Sequence, residues 1–159
     1  MRLSNVLNLV LLLSLAGCNT KLHIEKLVSI DPTFQSYVND FVREGKAVGK
    51  NIVIDNLSIH FTNNLTGETL GECFSYNHGT DGTPLILINS QDWLAEIDDY
   101  KRIVMFHEMG HCVLWREHIT TFNGPFGYIT SIMFPYIQND VSIYYSNWSY
   151  YMKELFYGQ

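Results

Sequence analysis

Basic residues are scarce. The chain carries 10 Lys and Arg against 16 Asp and Glu, a formal charge of −6 at pH 7. A nucleic-acid binder needs a concentrated positive surface to neutralise phosphates, so that class of partner is excluded. Charge of either sign is thin at 16% of residues, whereas 47% are hydrophobic, and 159 residues of that composition can fill the core of one compact domain. No internal repeat and no low-complexity tract is present, which excludes a repeat architecture. The N-terminal apolar run, residues 6–15, is too short to span a bilayer. Cysteine occurs only as Cys18, Cys73 and Cys112.

The start of the chain combines a minimal positive region, Met1-Arg2, with that apolar run and then Leu15-Ala16-Gly17-Cys18. This order resembles a bacterial lipoprotein signal with its lipobox. The resemblance implies a signal peptide over residues 1–17, a diacylglycerol on the Cys18 thiol, a lipidated N-terminus and linker over residues 18–30, and one domain over residues 31–159. Asn19 in place of an aspartate, by analogy with sorting in enteric bacteria, favours the outer membrane, with the protein on its periplasmic or surface face. Setting Cys18 aside leaves Cys73 and Cys112 in an exported chain. An even remainder in an oxidising compartment favours a disulfide, which would close a loop of about 40 residues and contribute roughly 4 kcal/mol in the chain-entropy model; two buried free thiols are the other reading.

Along the chain, Asp31-Pro32 reads as a cap followed by proline at a first helical position. Phe34, Tyr37, Val38, Phe41 and Val42 then recur at helical spacing until Gly45 or Gly49. Residues 51–62 alternate and predict a long strand with a turn or bulge near Asp55-Asn56, and residues 70–76 a second strand carrying Cys73. After the turn-rich residues 77–83, residues 84–88 begin with proline and read as an edge strand able to hold an extended peptide, or simply as sheet core. A helical turn is expected around Trp93, with Ser90 or Asp98 as cap, then a long helix over residues 99–114 burying Ile103, Phe106, Gly110 and Leu114. Glycine inside a helix costs about 1 kcal/mol against alanine, so Gly110 implies that another segment packs closely there. Near the end, Ser146 or Asn147 caps a helix whose Trp148, Tyr151, Met152, Leu155 and Phe156 form a core-facing stripe, and Gly158 stops it. His23, His60 and His78 show no ligand spacing.

The chemistry concentrates in the long helix. His107-Glu108-x-x-His111 places two imidazoles about one turn apart on one face, where they can share a cation, with the Glu108 carboxylate rotated roughly 100° beside them. Cys112 lies about 140° round from His107 and faces the body of the protein rather than the metal. Catalytic zinc ordinarily takes three protein ligands, so the set is incomplete. His118 is the candidate third ligand, but on an unbroken helix it would lie about 16 Å beyond His107. The helix must therefore end near residues 114–116 and the chain must double back. Glu117 is the rival ligand.

Residues 106–118 resemble the HExxHxxGxxH consensus of the metzincin metallopeptidases. Ser131-Ile132-Met133-Phe134-Pro135-Tyr136 is similar to the Met-turn of that clan, and the nearest resemblance is to small bacterial lipoprotein-type metallopeptidases. The resemblance implies an α+β fold: a small mixed sheet with an edge strand beside the active-site helix, then a Met-turn and a C-terminal helix. It also implies a zinc endopeptidase acting on peptides or proteins, with one catalytic Zn²⁺ on His107, His111 and His118, Glu108 as the catalytic carboxylate and Met133 beneath the metal. Tyr136 would offer a phenol to the zinc or the oxyanion, or else be a packed tyrosine. This chain departs from the consensus in having Glu117 at the tenth position and no glycine at Leu114 or Trp115, where a left-handed turn would cost roughly 1 to 2 kcal/mol. A monomer touching the membrane only through its lipid is expected, with residues 21–31 able to lie across the cleft. The alternative is a catalytically inactive zinc-binding envelope lipoprotein that serves as a binding or adhesion module.

Overall fold

The computed structural model describes residues 28–65, 69–74, 82–121 and 129–158. The expected signal peptide, Cys18, His23 and His78 lie outside the described residues. The chain forms a mixed α/β structure around a small open sheet of four strands in the order β1-β2-β4-β3. Strand β1 (Val28–Ile30) runs parallel to β2 (Leu57–Thr62), β2 parallel to β4 (Leu85–Asn89), and β3 (Gly71–Phe74) antiparallel to β4.

Three expectations about this sheet are corrected. Among the described residues the sheet begins at Val28, inside the expected linker, and Asp31 N–H continues the pairing by donating to the Ile59 carbonyl at 3.0 Å. Because β1 lies at the opposite edge from β3, Val28 to Asp31 do not cross the cleft described below. Residues 51–56 form no strand. Their alternation comes from Ile52 and Ile54 packing against the core, Ile52 close to the bare backbone of Gly45. The segment read as an edge strand is interior, paired with β2 on one side and β3 on the other. Pro84 is tolerated there because it precedes the strand and contributes only its carbonyl, which accepts from Ser58 N–H at 2.9 Å. The edge beside the long helix is β3 instead.

Helix α1 (Gln35–Ala47) follows a 3₁₀ turn, Pro32–Phe34, capped by the Asp31 carboxylate, which accepts from Thr33 N–H at 2.9 Å. Its Phe34, Val38, Phe41 and Gly45 side is buried, and the helix ends before Gly49, whose φ of 88° suits glycine. Helix α2 (Ser90–Ala95) is capped by Asn89, not Ser90, since the Asn89 side chain accepts from Gln91 and Asp92 N–H. Helix α3 (Asp98–Leu114) starts one residue earlier than expected. Asp98 and Asp99 lie in its first turn, where carboxylates complement the helix dipole, so Asp98 is inside the helix rather than its cap. A short α4 (Ser142–Ser146) precedes α5 (Trp148–Tyr157), which Gly158 ends at φ 76°.

The core lies between the helices and the sheet face formed by Leu57, Ile59, Ile86 and Ile88, all fully buried. Phe41 bridges helices, meeting Phe106 of α3 at 5.2 Å and Phe156 of α5 at 4.9 Å between ring centroids. Arg102 locks α3 to α1 through Asp40 and Glu44 while lying 4.2 Å above the Trp148 ring. Cys73 and Cys112 form a disulfide with Cα atoms 5.8 Å apart, tying edge strand β3 to α3 one residue after His111.

Candidate metal centre

Helix α3 ends where it must for His118 to return. Trp115 adopts the left-handed conformation, φ 57° and ψ 34°, and is the one non-glycine residue with positive φ among the described residues. That geometry costs roughly 1 to 2 kcal/mol for a residue with a Cβ. It is held by the contacts that follow it: Arg116 N–H donates to the Gly110 carbonyl at 3.0 Å, and Ile119 N–H to the Met133 carbonyl at 2.8 Å. The chain reverses, and His118 Nε2 comes to 3.2 Å from His107 Nε2, with His111 Nε2 at 3.1 Å from the same atom. Ligand atoms of His107, His111 and His118 all lie within 4.8 Å of one another, a group that can hold a metal ion.

The hydrogen bonds around the rings show which nitrogens face inward as bases. His107 Nδ1 lies 2.7 Å from the Ile132 carbonyl and His111 Nδ1 lies 2.6 Å from the Arg116 carbonyl. A carbonyl oxygen only accepts, so each Nδ1 carries the proton and donates it. In the neutral rings, both Nε2 atoms are then unprotonated, and their 3.1 Å approach brings two lone pairs together with no proton between them. Burial also disfavours the charged form, pushing the pKa of His107 down to about 4 and that of His111 below its ordinary value. Neutral imidazoles with converging lone pairs and carbonyl-anchored Nδ1 protons are a donor set that fits a divalent transition metal.

Glu108, next to His107, faces β3. It is 6% exposed, its carboxylate accepts the Cys73 backbone N–H, and burial pushes its pKa up to about 8, with the Glu72 carboxylate adding to the rise. Gly71 lets the strand come this close: a Cβ there would lie 3.1 Å from Glu108 Cγ and 2.9 Å from Ile88 Cδ1. The histidines and Glu108 open into a cleft of about 770 Å³, lined also by β3 residues including Glu72 and by Trp115, Glu117 and Pro135. Glu117 is exposed and stands outside the three-histidine group.

Met133 is fully buried in a tight turn in which Phe134 N–H reaches the Ser131 carbonyl at 3.3 Å. It packs directly on Gly110, between the two histidines of α3; a Cβ on Gly110 would meet the Met133 sulfur and lie 3.2 Å from Leu155 Cδ1. The close packing expected at this glycine is therefore present. Gly110→Ala should destabilise the fold by about 1 to 3 kcal/mol through overpacking, outweighing the roughly 1 kcal/mol by which alanine favours a helix. Urea denaturation at fixed pH would measure the sign. Tyr136 is 57% exposed, its ring set edge-on to Phe134 at 4.7 Å, and Pro135 rather than Tyr136 lines the cleft. His60 pairs with Ser29 Oγ in the sheet, remote from this site in the fold.

Three roles around the site are not given by the sequence, those of Arg116, Ser131 and Glu154. The Arg116 guanidinium donates to the Glu154 and Leu155 carbonyls and to Glu154 Oε1, each at 2.7 Å, while Ser131 Oγ donates to Glu154 Oε2. A signal was available, because Glu154 interrupts the apolar stripe of α5 between Tyr151 and Leu155 and is 4% exposed. A carboxylate at a core-facing position requires a buried partner. Compared with known proteins, the chain matches no family model, no curated protein and no solved structure.

Proposed function

We propose that this chain is a zinc-dependent endopeptidase of metzincin type, anchored to the bacterial envelope through a lipid on Cys18. The observation that carries the reading is the pair of α3 imidazoles whose Nδ1 protons are committed to carbonyls, so that their Nε2 lone pairs converge with His118 beside a buried carboxylate. His107, His111 and His118 would hold the ion. An all-imidazole set opening on a cleft suits zinc, which when bound supplies Lewis acidity toward the scissile carbonyl and the attacking water.

The chain's own groups divide the remaining work. Edge strand β3 offers main-chain donors and acceptors to an extended peptide laid along it, beside Glu108. Glu108 accepts the proton of the attacking water and passes it to the leaving amine, with its carboxylate oriented by the Cys73 N–H. Met133, in the turn under Gly110, is the floor of the site.

The test is peptide cleavage by the purified domain lacking Cys18, loaded with zinc. Internal cleavage of a mixed peptide library is expected, lost on chelation and restored by added zinc. Full zinc loading with no cleavage of any peptide would instead favour the binding module, for which the half-exposed Trp115 at the cleft wall would be a contact surface.

A further inference from the structure

Two of the histidines are aimed by backbone carbonyls in irregular segments, and neither segment is held in place by secondary structure of its own. The Ile132 carbonyl, which receives His107 Nδ1–H, lies in the turn at Ser131 to Phe134, and the Arg116 carbonyl, which receives His111 Nδ1–H, lies on the returning chain after α3. We infer that Glu154, on the separate helix α5, is the positioning residue that fixes both segments and so directs both imidazoles at one point.

The connection is continuous through named atoms. Glu154 Oε1 accepts from Arg116 Nη2 at 2.7 Å, and Arg116 Nη1 is held by the Glu154 and Leu155 carbonyls, also at 2.7 Å each. Its other oxygen accepts from Ser131 Oγ, and the same hydroxyl oxygen accepts Met133 N–H at 2.9 Å, bracketing Ile132 from both sides. One buried carboxylate therefore holds the residue whose carbonyl orients His111 and the hydroxyl that shapes the turn orienting His107. Stability alone is a weak reason to keep such a group. A buried ion pair is often matched or bettered by apolar residues of similar volume, and Glu154 sits where the stripe of α5 would accept a leucine. What leucine cannot supply is two acceptors pointing at two different loops.

This inference rests on the metal site proposed above but not on peptide hydrolysis. Its test is binding of Zn²⁺ and Co²⁺ by the purified protein, followed by competition titration and by the visible absorption of the cobalt form. Glu154→Gln keeps the shape but loses the charge that faces Arg116 and can accept from only one of the two partners, so it meets Ser131 Oγ only by donating to an oxygen that already accepts Met133 N–H. Zinc affinity is expected to fall roughly 10- to 100-fold, the usual effect of losing a group that orients a metal ligand, with the cobalt bands altered and the far-ultraviolet circular dichroism unchanged. Ser131→Ala cuts only the branch toward Ile132 and should give a smaller loss; it also serves as the test if Glu154→Gln does not fold. Parent affinity and an unaltered cobalt spectrum in whichever of these variants folds, even with a lowered Tm, would overturn the positioning role. A parent protein that binds zinc tightly and cuts no peptide would refute the peptidase reading while leaving this one standing.

Discussion

Glu108→Ala is expected to keep its metal ion and to lose peptide cleavage by about 10²- to 10⁴-fold, the range that general acid–base catalysis contributes. Glu108 is not one of the converging ligands, so its removal leaves the three imidazoles and their carbonyl partners in place. What it removes is a carboxylate at the cleft wall, oriented by the Cys73 N–H and shielded from water. The sign of its titration provides a second readout. Burial raises its pKa to about 8, so with no cation nearby Glu108 retains its proton at pH 7, and a cation among the histidines favours the ionised form. Zinc uptake by the parent at pH 7 should therefore release a proton that the alanine variant does not. Calorimetry in buffers of different ionisation enthalpy would detect the difference. Retention of parent-like cleavage by Glu108→Ala would remove Glu108 from the chemistry altogether.

Much of this site was legible because a helix imposes its period on the sequence. His107, Glu108, His111 and the turning of Cys112 away from the metal toward the body of the protein all follow from 3.6 residues per turn, and the Cys73–Cys112 bond agrees with the even cysteine remainder. The break at Trp115 was legible for a different reason: no side chain spans the distance that an unbroken helix would put between His107 and His118. Turn chemistry gave no help there, since tryptophan is a poor left-handed residue and the position is set by tertiary contacts through Arg116 and Ile119. The sheet order was not legible, because an apolar run such as Leu85–Asn89 has the same pattern whether it has one neighbour or two. Nor does alternation reveal whether a ladder exists, as Ile52 and Ile54 illustrate. Helix α4, at five residues, is too short to display a period.

The disulfide gives the site its second wall. Strand β3 is four residues long and pairs on one side only, which by itself leaves an edge free to fray. The Cys73–Cys112 bond fixes that edge to α3 beside His111, and the Cys73 N–H is the group that meets Glu108. The same residue thus covalently positions the strand proposed to hold substrate and, through its backbone, orients the proposed proton acceptor. Fold and site are coupled here through Cys73.

His118→Ala is expected to weaken zinc binding by more than the roughly 10- to 100-fold that follows loss of an orienting partner, because it removes a donor rather than its support. Glu117→Ala is expected to leave affinity at the parent level. The two residues are adjacent on the returning chain and both are exposed, yet His118 Nε2 stands 3.2 Å from His107 Nε2 whereas Glu117 falls outside the group of converging donors. Charge does not rescue the rival assignment, since a carboxylate on the cleft wall can attract a cation from a distance without bonding to it. Metal analysis after dialysis, with the two variants treated in parallel, separates the cases. Retained zinc in His118→Ala together with lost zinc in Glu117→Ala would mean that the returning chain rotates by one residue on binding, and that the three-imidazole site is not the one the ion occupies.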